Sequence, residues 1–293
     1  MPVRTEVVMG TLVTIHVVRS GSDEAISRAF GWFQEIETRC TRFSRQSELM
    51  QLTEQVGVAV PASAILFEAV RFALMVAEET DGAFDPTIGH RMTERGFNRE
   101  HRTGETVAAI ASDADVNYKD VVLDQERKTI MLRRALTLDL GAVAKGLAVD
   151  TAARELAPFR DFAIDAGGDL YMGGLNPQGA AWSVGIRHPR RDNAFIDTLR
   201  VSNRAVCTSG DYERKTTGGE HHILDPRTGM SPHAVASATV VASGAMLADA
   251  LATAAFVLGP EHGIQLLDRM GVDGLIVTPE LERYETRGLC RAA

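Results

Sequence analysis

The stretch FAIDAGGDLYMG, residues 162–173, holds two short apolar runs separated by a pair of glycines. Apolar runs of about four to eight residues bounded by glycine are typical of β-strands, and a Gly-Gly pair suits the tight turn of an antiparallel hairpin. We therefore predict strands over 162–166 and 168–173, and a hairpin between them is one interpretation of the glycine pair. Consecutive strands indicate an α+β fold with antiparallel sheet, whereas a regular alternation of strands and helices indicates an α/β fold with parallel sheet.

Strands outnumber helices in the rest of the sequence. Further strands are predicted over 5–19, 120–124, 129–133, 136–140, 182–187, 196–201, 204–208, 236–242 and 272–278. Helices are predicted over 23–40, 62–80, 142–156, 245–257 and 261–270, with loops over 81–104 and 209–234. This order indicates an α+β fold of mostly antiparallel sheets packed with helices.

Neither a Rossmann fold nor a division into separate domains is predicted. No GxGxxG sequence follows the first predicted strand, although a dinucleotide fold needs those glycines for its phosphate turn. No linker divides residues 1–293. We expect them to form a single domain of two closely packed lobes.

The charge balance argues against one class of partner. The formal net charge of the 293 residues is −8 at pH 7, and the sequence pI is near 5.5. An acidic chain without a basic stripe is not expected to bind nucleic acid. The densest basic segment, Arg187–Arg191, is either a solvated loop or a site for a phosphate group or an acidic protein.

The three cysteines, Cys40, Cys207 and Cys290, are far apart in the sequence. No CxxC or Cys/His spacing accompanies them, so neither a zinc site nor a disulfide framework is predicted. The N-terminal residues have a strand pattern instead of an apolar signal sequence, and no apolar run reaches transmembrane length. We expect reduced thiols, no membrane insertion and a cytoplasmic location.

Residues 139–146, DLGAVAKG, lead from a predicted strand into a helix. The start of a helix carries backbone N–H groups without intrahelical partners, which favours an anion such as a pyrophosphate. Asp139 also fits the role of a simple helix cap, with Gly141 allowing close packing. The residues alone leave both interpretations open.

Asp249 and Thr253 lie four positions apart in an otherwise apolar helix. That spacing places a carboxylate and a hydroxyl on one face, one turn apart. Oxygen ligands of this kind suit a hard cation such as Mg²⁺. An aspartate near a helix N-terminus also offsets the helix dipole without any metal.

Two further segments combine turn residues with polar groups. His222 precedes the apolar pair 223–224 and the turn-forming sequence DPRTG at 225–229, and it is either a general base or a solvated loop histidine. The sequence DAGGD at 165–169 indicates either a close approach of the backbone to a ligand or a plain hairpin turn.

Eight short motifs follow one another along the chain. They are Met9–Thr11 (MGT), Thr41–Phe43 (TRF) with Ser47–Leu49 (SEL), Thr80–Thr87 (TDGAFDPT), Asp139–Gly146 (DLGAVAKG) with Asp150, Ala166–Asp169 (AGGD), Thr208–Tyr212 (TSGDY), His222–Gly229 (HILDPRTG) and Ala248–Ala254 (ADALATA). In this order they resemble the motifs of the ApbE family of FAD:protein FMN transferases over nearly the whole chain. Chance similarity does not preserve such an order.

The resemblance implies a role for each matching residue. It implies FAD contacts by Met9, Phe43, Ala83, Phe84, Asp85, Asp139, Lys145, Ser209 and Leu224. It also implies a metal site formed by the backbone carbonyl of Ala142 and the side chains of Asp249 and Thr253, in agreement with the oxygen ligands expected from the helix spacing. His222 matches the catalytic histidine of the family.

The implied function is Mg²⁺-dependent transfer of FMN from FAD to a Ser or Thr hydroxyl of an acceptor protein, with release of AMP. Mn²⁺ is the alternative metal. Two other functions use the same residues: a Mg²⁺-dependent FAD pyrophosphatase that gives FMN and AMP, and a non-enzymatic flavin-binding protein. Many family members carry a secretion or lipoprotein signal that this sequence does not show, so either the acceptor is cytoplasmic or an upstream segment is missing.

Overall fold

The computed structural model describes residues 2–100, 104, 106–108, 110–213 and 219–289 of the chain. As far as its residues are described, the chain divides into two compact units. Unit 1 comprises Met1–Gln34, Lys145–Glu213 and Pro232–Ala293, and unit 2 comprises Glu35–Ala144 and Arg214–Ser231. Each unit is thus assembled from segments that are distant in sequence. The prediction of a single domain with two packed lobes stays a prediction.

Strands and helices are distributed along the whole described chain. The strands are β1 (Val3–Val8), β2 (Thr11–Val17), β3 (Val60–Pro61), β4 (Val121–Asp124), β5 (Thr129–Leu132), β6 (Phe162–Ala166), β7 (Asp169–Gly173), β8 (Trp182–Arg187), β9 (Phe195–Val201), β10 (Arg204–Gly210), β11 (Ser237–Ala242), β12 (Asp273–Val277) and β13 (Arg283–Glu285). The α-helices are α1 (Asp23–Cys40), α2 (Glu48–Thr53), α3 (Ala64–Glu79), α4 (Gly89–Glu94), α5 (Gly141–Leu156), α6 (Ala245–Leu258) and α7 (Pro260–Arg269).

Unit 1 is organised around an eight-stranded sheet in the order β1-β2-β6-β7-β10-β11-β12-β13. Every neighbouring pair of strands in this sheet is antiparallel. The two strands predicted within residues 162–173 are present as β6 and β7, and they form a hairpin with Ala166 opposite Asp169. The predicted α+β class with antiparallel sheets is confirmed.

Both faces of this sheet are covered. Val206 and Cys207 are neighbours in β10, so their side chains point to opposite faces. Cys207 Sγ lies 3.6 Å from the Ala245 carbonyl, so α6 covers that face. On the other face, Val206 packs with Val184 and Leu199 of the β8–β9 hairpin in one apolar cluster. Polar side chains on the α6 face are therefore held between a sheet and a helix.

Unit 2 contains α2, α3, α4 and a three-stranded antiparallel sheet in the order β3-β5-β4. α3 begins after Ser63, whose hydroxyl accepts a hydrogen bond from the Leu66 N–H at 3.2 Å and so caps the helix. Glu48, the first residue of α2, accepts hydrogen bonds from the N–H and the hydroxyl of Ser63, each at 2.6 Å. These contacts tie the starts of α2 and α3 together.

Two of the predicted strands are wrong. The strand predicted over 5–19 is the β1–β2 hairpin, because Met9 and Gly10 have φ angles of 52° and 76° that interrupt extended backbone. The strand predicted over 136–140 is an extended segment in which only Thr137 forms a bridge, to Ile88. Leu136, Leu138 and Leu140 are buried although no strand pairs along the segment. Their burial explains why apolar residues alternate with other residues there, as they would in a β-strand.

The other predicted helices and strands agree with the structure within two residues at each end. The elements α2, α4, β3 and β13 were not predicted, and α4 lies inside the loop predicted over 81–104. Each of them has six residues or fewer. A periodic pattern cannot be recognised reliably over so short a length.

Two observations bear on the membrane and thiol predictions. In the described ranges, no helix combines the length and the apolar character needed to cross a lipid bilayer. Cys40 and Cys207 are free and buried, and burial raises the pKa of Cys40 to about 12 and that of Cys207 well above its ordinary value. Cys290 lies outside the described residues. The two buried thiols are therefore expected to react poorly at neutral pH.

Candidate functional site

α6 carries both side chains predicted to bind a metal. Asp249 is the fifth residue of this helix and is 8% exposed, and Thr253 follows one turn later. Every other residue of α6 is apolar. The Thr253 hydroxyl lies 3.2 Å from the hydroxyl of Ser209 on β10, within hydrogen-bond distance. A carboxylate and two hydroxyl groups thus meet in the interior of unit 1.

Lys145 adds a positive charge to these oxygens. Its Nζ lies 3.9 Å from Asp249 Oδ2 and forms an ion pair with the carboxylate of Asp169 at the start of β7. The structure therefore brings together Lys145, Ser209, Asp249 and Thr253, which belong to three separate sequence motifs. We call these four residues and Asp169 the α6 cluster.

The start of α6 is capped by a carboxylate from α5. Asp150 accepts hydrogen bonds from the backbone N–H groups of Ala245 at 2.6 Å and of Met246 at 3.0 Å. Burial raises the pKa of Asp150, although these two donors oppose the shift. Asp150 therefore already satisfies the first N–H groups of α6 and offsets its dipole. Asp249 is not needed for that purpose, which argues against the interpretation that it only offsets the helix dipole.

Met9 lies in the turn between β1 and β2, close to the turn that precedes Asp169. Thr11 approaches Gly167 so closely that its side chain leaves no room for a Cβ atom there. The glycine pair at 167–168 therefore serves as a hairpin turn and also allows this close approach. The FAD contact of Met9 stays a prediction.

In unit 2, Asp139 acts as a helix cap. Its Oδ1 accepts a hydrogen bond from the Gly141 N–H at 2.7 Å, and its Oδ2 pairs with Arg42 Nε at 2.6 Å. The N–H groups of Val143 and Ala144 bond to the Leu140 carbonyl. The sequence left open whether this helix start binds an anion or is capped by Asp139, and the structure supports the cap. Ala142, the predicted source of a carbonyl ligand, is half-buried in the first turn of α5.

Arg42 connects several of the predicted residues of unit 2. Its guanidinium lies 4.3 Å from the centroid of the Phe43 ring, in addition to its pairing with Asp139. It also donates a hydrogen bond to the carbonyl of Phe97. The Phe97 ring in turn meets the His222 ring edge to face, with centroids 6.4 Å apart. One buried side chain thus links residues from three motifs.

The segment 80–87 folds around the carboxylate of Asp85. Oδ1 accepts hydrogen bonds from the N–H and the hydroxyl of Thr87 at 2.9 and 2.8 Å, and Oδ2 accepts one from the Tyr118 N–H at 3.0 Å. Burial raises the pKa of Asp85, opposed by these donors. Ala83 and Phe84 are buried beside it. A contact of Asp85 with a ligand would therefore use its backbone.

His222 is half-buried and precedes a well-ordered turn, while Leu224 is buried. The Gly229 N–H donates to the Asp225 carbonyl at 2.7 Å, as the DPRTG sequence predicts. Arg227 holds the Asp225 carboxylate with two hydrogen bonds of 2.9 Å. The turn thus follows His222 directly in the sequence, and the Phe97 ring meets the His222 ring edge to face.

Three residues of evident importance received no role in the sequence analysis. They are Arg42, Asp150 and Asp169, each quoted within a motif but assigned no contact. Their partners lie far away in sequence, 97 residues in the case of Arg42 and Asp139. For Asp150 and Asp169 the available signal was a charged residue within a helix or a strand that is otherwise mostly apolar, which predicts a buried partner without naming it. Arg42 lies in a loop and gave no such signal.

Replacement of Arg42 by alanine is expected to destabilise the protein by about 3 kcal/mol, because it removes the guanidinium that pairs with the carboxylate of Asp139 in a largely buried site. Urea unfolding followed by circular dichroism measures this change. Arg39→Ala is the matched control: Arg39 pairs with Glu35 and Glu48 but its side chain is 36% exposed, so its loss should cost about 1 kcal/mol or less. Equal losses would contradict the role given to Arg42.

The basic segment Arg187–Arg191 is largely neutralised by acidic neighbours. Arg190 forms two hydrogen bonds of 2.7 Å with Asp211, and Arg187 pairs with Glu213 at 3.2 Å. A side chain that already has a carboxylate partner gains less from a phosphate or an acidic protein. The structure therefore favours the interpretation as a surface loop.

Comparison with known proteins connects these motifs to named relatives. The model of the ApbE family matches residues 9–276. The FAD:protein FMN transferase of Treponema pallidum is 33% identical over 316 residues, with 98% of this chain and 87% of the relative aligned. That of Haemophilus influenzae is 28% identical over 284 residues, covering 89% of this chain and 82% of the relative.

Solved structures show the same fold. The crystal structure of the ApbE protein from Thermotoga maritima has a TM-score of 0.86 and 28% identity, with 98% of this chain and 97% of that chain covered. The flavin transferase ApbE from Vibrio cholerae has a TM-score of 0.84 at 23% identity over the same shares of the two chains. The family match, the relatives and the shared fold agree with the order of the eight motifs, and this protein belongs to the ApbE family.

Proposed function

We propose that this protein transfers FMN from FAD to a Ser or Thr hydroxyl of an acceptor protein in a Mg²⁺-dependent reaction that releases AMP. The enzyme class, a transferase, is confirmed by the names of relatives that align with nearly the whole chain. The observation that carries the finer proposal is the α6 cluster. It places two carboxylates, two hydroxyl groups and an ammonium in one part of unit 1, and such groups suit a phosphate group accompanied by a divalent cation.

The donor atoms of the α6 cluster fit Mg²⁺. Within the described part of the chain, no group of three or more His, Cys, Asp or Glu side chains could hold a metal. A site with one carboxylate needs hydroxyl, carbonyl, phosphate or water oxygens as its other ligands, which is typical of Mg²⁺. Asp249 and Thr253 would hold the ion, and the family resemblance adds the Ala142 carbonyl. Mn²⁺ could use the same oxygens.

A bound Mg²⁺ would neutralise phosphate charge and stabilise the charge that develops on the leaving group. Lys145 would contribute a second positive charge from the protein itself. Its Nζ lies beside Asp249, so the ammonium and the ion would act on neighbouring phosphate oxygens. The hydroxyl of Ser209, which lies beside Thr253, would orient the same groups.

We also propose that further residues contact FAD, because their side chains are of types that suit a flavin nucleotide. They are Met9, Phe43, Ala83, Phe84, Asp85, Asp139 and Leu224, in addition to Lys145 and Ser209. Phe43 offers an aromatic face already stacked with a guanidinium. Asp85 and Asp139 use their carboxylates within the protein, so we propose that they shape the site more than they bind through charge.

The proposed transfer of FMN needs one side chain of this protein to accept the proton of the acceptor hydroxyl. The acceptor hydroxyl oxygen forms a bond to the FMN phosphorus, and the bond between that phosphorus and the bridging oxygen of AMP breaks, with its electron pair leaving on AMP. We assign removal of the hydroxyl proton to His222, because imidazole is the side chain that most often serves as a general base. The Phe97 ring packs against the His222 ring edge to face.

Intact-protein mass spectrometry tests the proposal. An acceptor domain incubated with this protein, FAD and Mg²⁺ should gain the mass of FMN, and EDTA should prevent the gain. An unmodified acceptor with free FMN and AMP would favour the FAD pyrophosphatase. A chain that keeps FAD bound and intact with several acceptor domains would favour a non-enzymatic flavin-binding protein.

We also propose that the enzyme and its acceptor meet in the cytoplasm. The support is that Cys40 and Cys207 are free thiols, as expected in a reducing compartment. Fractionation of cells that express the chain with an epitope tag checks this location. Recovery of the tagged chain outside the cytoplasmic fraction would contradict it.

A further inference from the structure

Asp169 is a buried carboxylate to which the proposed reaction gives no task. It is the first residue of β7, directly after the glycine pair, and is 2% exposed. Pairing of Asp169 with Ala166 across the β6–β7 hairpin fixes its backbone. Its carboxylate forms an ion pair with Lys145. A buried charge is costly unless it has a partner, so Asp169 and Lys145 depend on each other.

Lys145 has a second carboxylate within reach. Its Nζ lies 3.9 Å from Asp249 Oδ2, while it is in direct contact with Asp169. The three side chains carry two negative charges and one positive charge. An ammonium and a divalent cation compete for the same carboxylate when both can reach it. The position of Lys145 between Asp169 and Asp249 therefore affects how well Asp249 can bind a metal.

We propose that Asp169 is a positioning residue that holds the Lys145 ammonium away from the metal-binding carboxylate of Asp249. This inference rests on the proposed metal site. With Asp169 in place, the three charges sum to −1, and the ammonium stays in contact with Asp169. Without it, Asp249 becomes the nearest counter-ion of Lys145, the sum becomes zero, and the ammonium occupies the space that the metal needs.

A double-variant cycle on the full chain, without FAD, tests this role through Mn²⁺ binding measured by electron paramagnetic resonance. Asp169→Asn keeps the size of the side chain and removes its charge, and should raise the Kd for Mn²⁺ about tenfold or more. Lys145→Gln removes the competing ammonium. Lys145→Gln should therefore lower the Kd for Mn²⁺ much more in the Asp169→Asn background than in the wild-type background, where Asp169 already holds the ammonium away. A merely structural role of Asp169 does not predict this coupling.

Asp165→Asn is the matched control, because Asp165 flanks the same glycine pair, is exposed, and its side chain accepts a hydrogen bond from the Gly168 N–H. It should leave the Kd unchanged. An unchanged Kd in Asp169→Asn, or no recovery in the doubly changed protein, would overturn the proposal. If Asp169→Asn fails to fold, Asp169→Ser takes its place in the cycle, because it also removes the charge, and the same outcomes support or overturn the role.

Failure of the metal site itself has a different signature. A wild-type chain that binds no Mn²⁺ would refute the metal site of the proposed function and the role of Asp169 with it. A wild-type chain that binds Mn²⁺ while the cycle shows no coupling between Asp169 and Lys145 would refute the positioning role alone. The two failures are therefore distinguishable in one experiment.

Discussion

Replacement of Asp249 by alanine is expected to lower the rate of FMN transfer at saturating FAD by roughly a hundredfold or more. Asp249 is the only carboxylate among the proposed metal ligands, so its loss leaves two neutral oxygens that cannot hold a divalent cation in water. The measurement is the single-turnover rate of acceptor modification, followed by intact-protein mass spectrometry across a range of Mg²⁺ concentrations.

Asp268→Ala on the neighbouring helix α7 serves as the control for this prediction. Asp268 is exposed and lies in the last turn of α7, so its loss removes a carboxylate without touching the α6 cluster. Its transfer rate should equal that of wild type. Wild-type turnover of Asp249→Ala at limiting Mg²⁺ would show that the metal is bound elsewhere.

Replacement of His222 by alanine is expected to slow transfer by about a hundredfold to ten-thousandfold, the range that a general base contributes. FAD binding should be nearly unaffected, because the proposal gives the contacts with FAD to other residues, such as Phe43 and Lys145. Flavin fluorescence titration measures the affinity, and single-turnover kinetics at saturating FAD measure the transfer. A loss in rate without a loss in affinity separates a catalytic from a binding role.

His262→Ala is the control, because His262 is an exposed histidine on α7. It should change neither the affinity for FAD nor the rate. The opposite pattern in His222→Ala, a collapse of FAD affinity with normal turnover at saturating FAD, would make His222 a binding residue only. The proton would then pass to another acceptor.

Most secondary structure followed from patterns within a few residues. The helix predicted over 23–40 has those same bounds in the structure, and α6 and the β6–β7 hairpin differ from prediction by one residue. Their apolar residues repeat with the period of the element, and their ends carry capping or turn residues. The segment 136–140 shows the limit of this reasoning, because buried leucines at alternate positions need no partner strand.

The candidate site was predictable to the extent that it depends on local spacing or on the order of motifs. Asp249 and Thr253 share one helix face because they are four residues apart, and the structure places them so. The proximity of Ser209 to Thr253 had no local signal, since 44 residues separate them. Motif order identified Ser209 as part of a site without indicating which residue it would meet.

The sequence by itself determined the α+β class, the family, and the residue types available for binding an anion and a cation. Only the tertiary structure decided which carboxylate does what: Asp139 caps α5, Asp150 caps α6, and Asp169 pairs with Lys145. The physical reason is that secondary structure depends on neighbours within about one or two turns, whereas the partner of a buried charge is set by how distant segments pack.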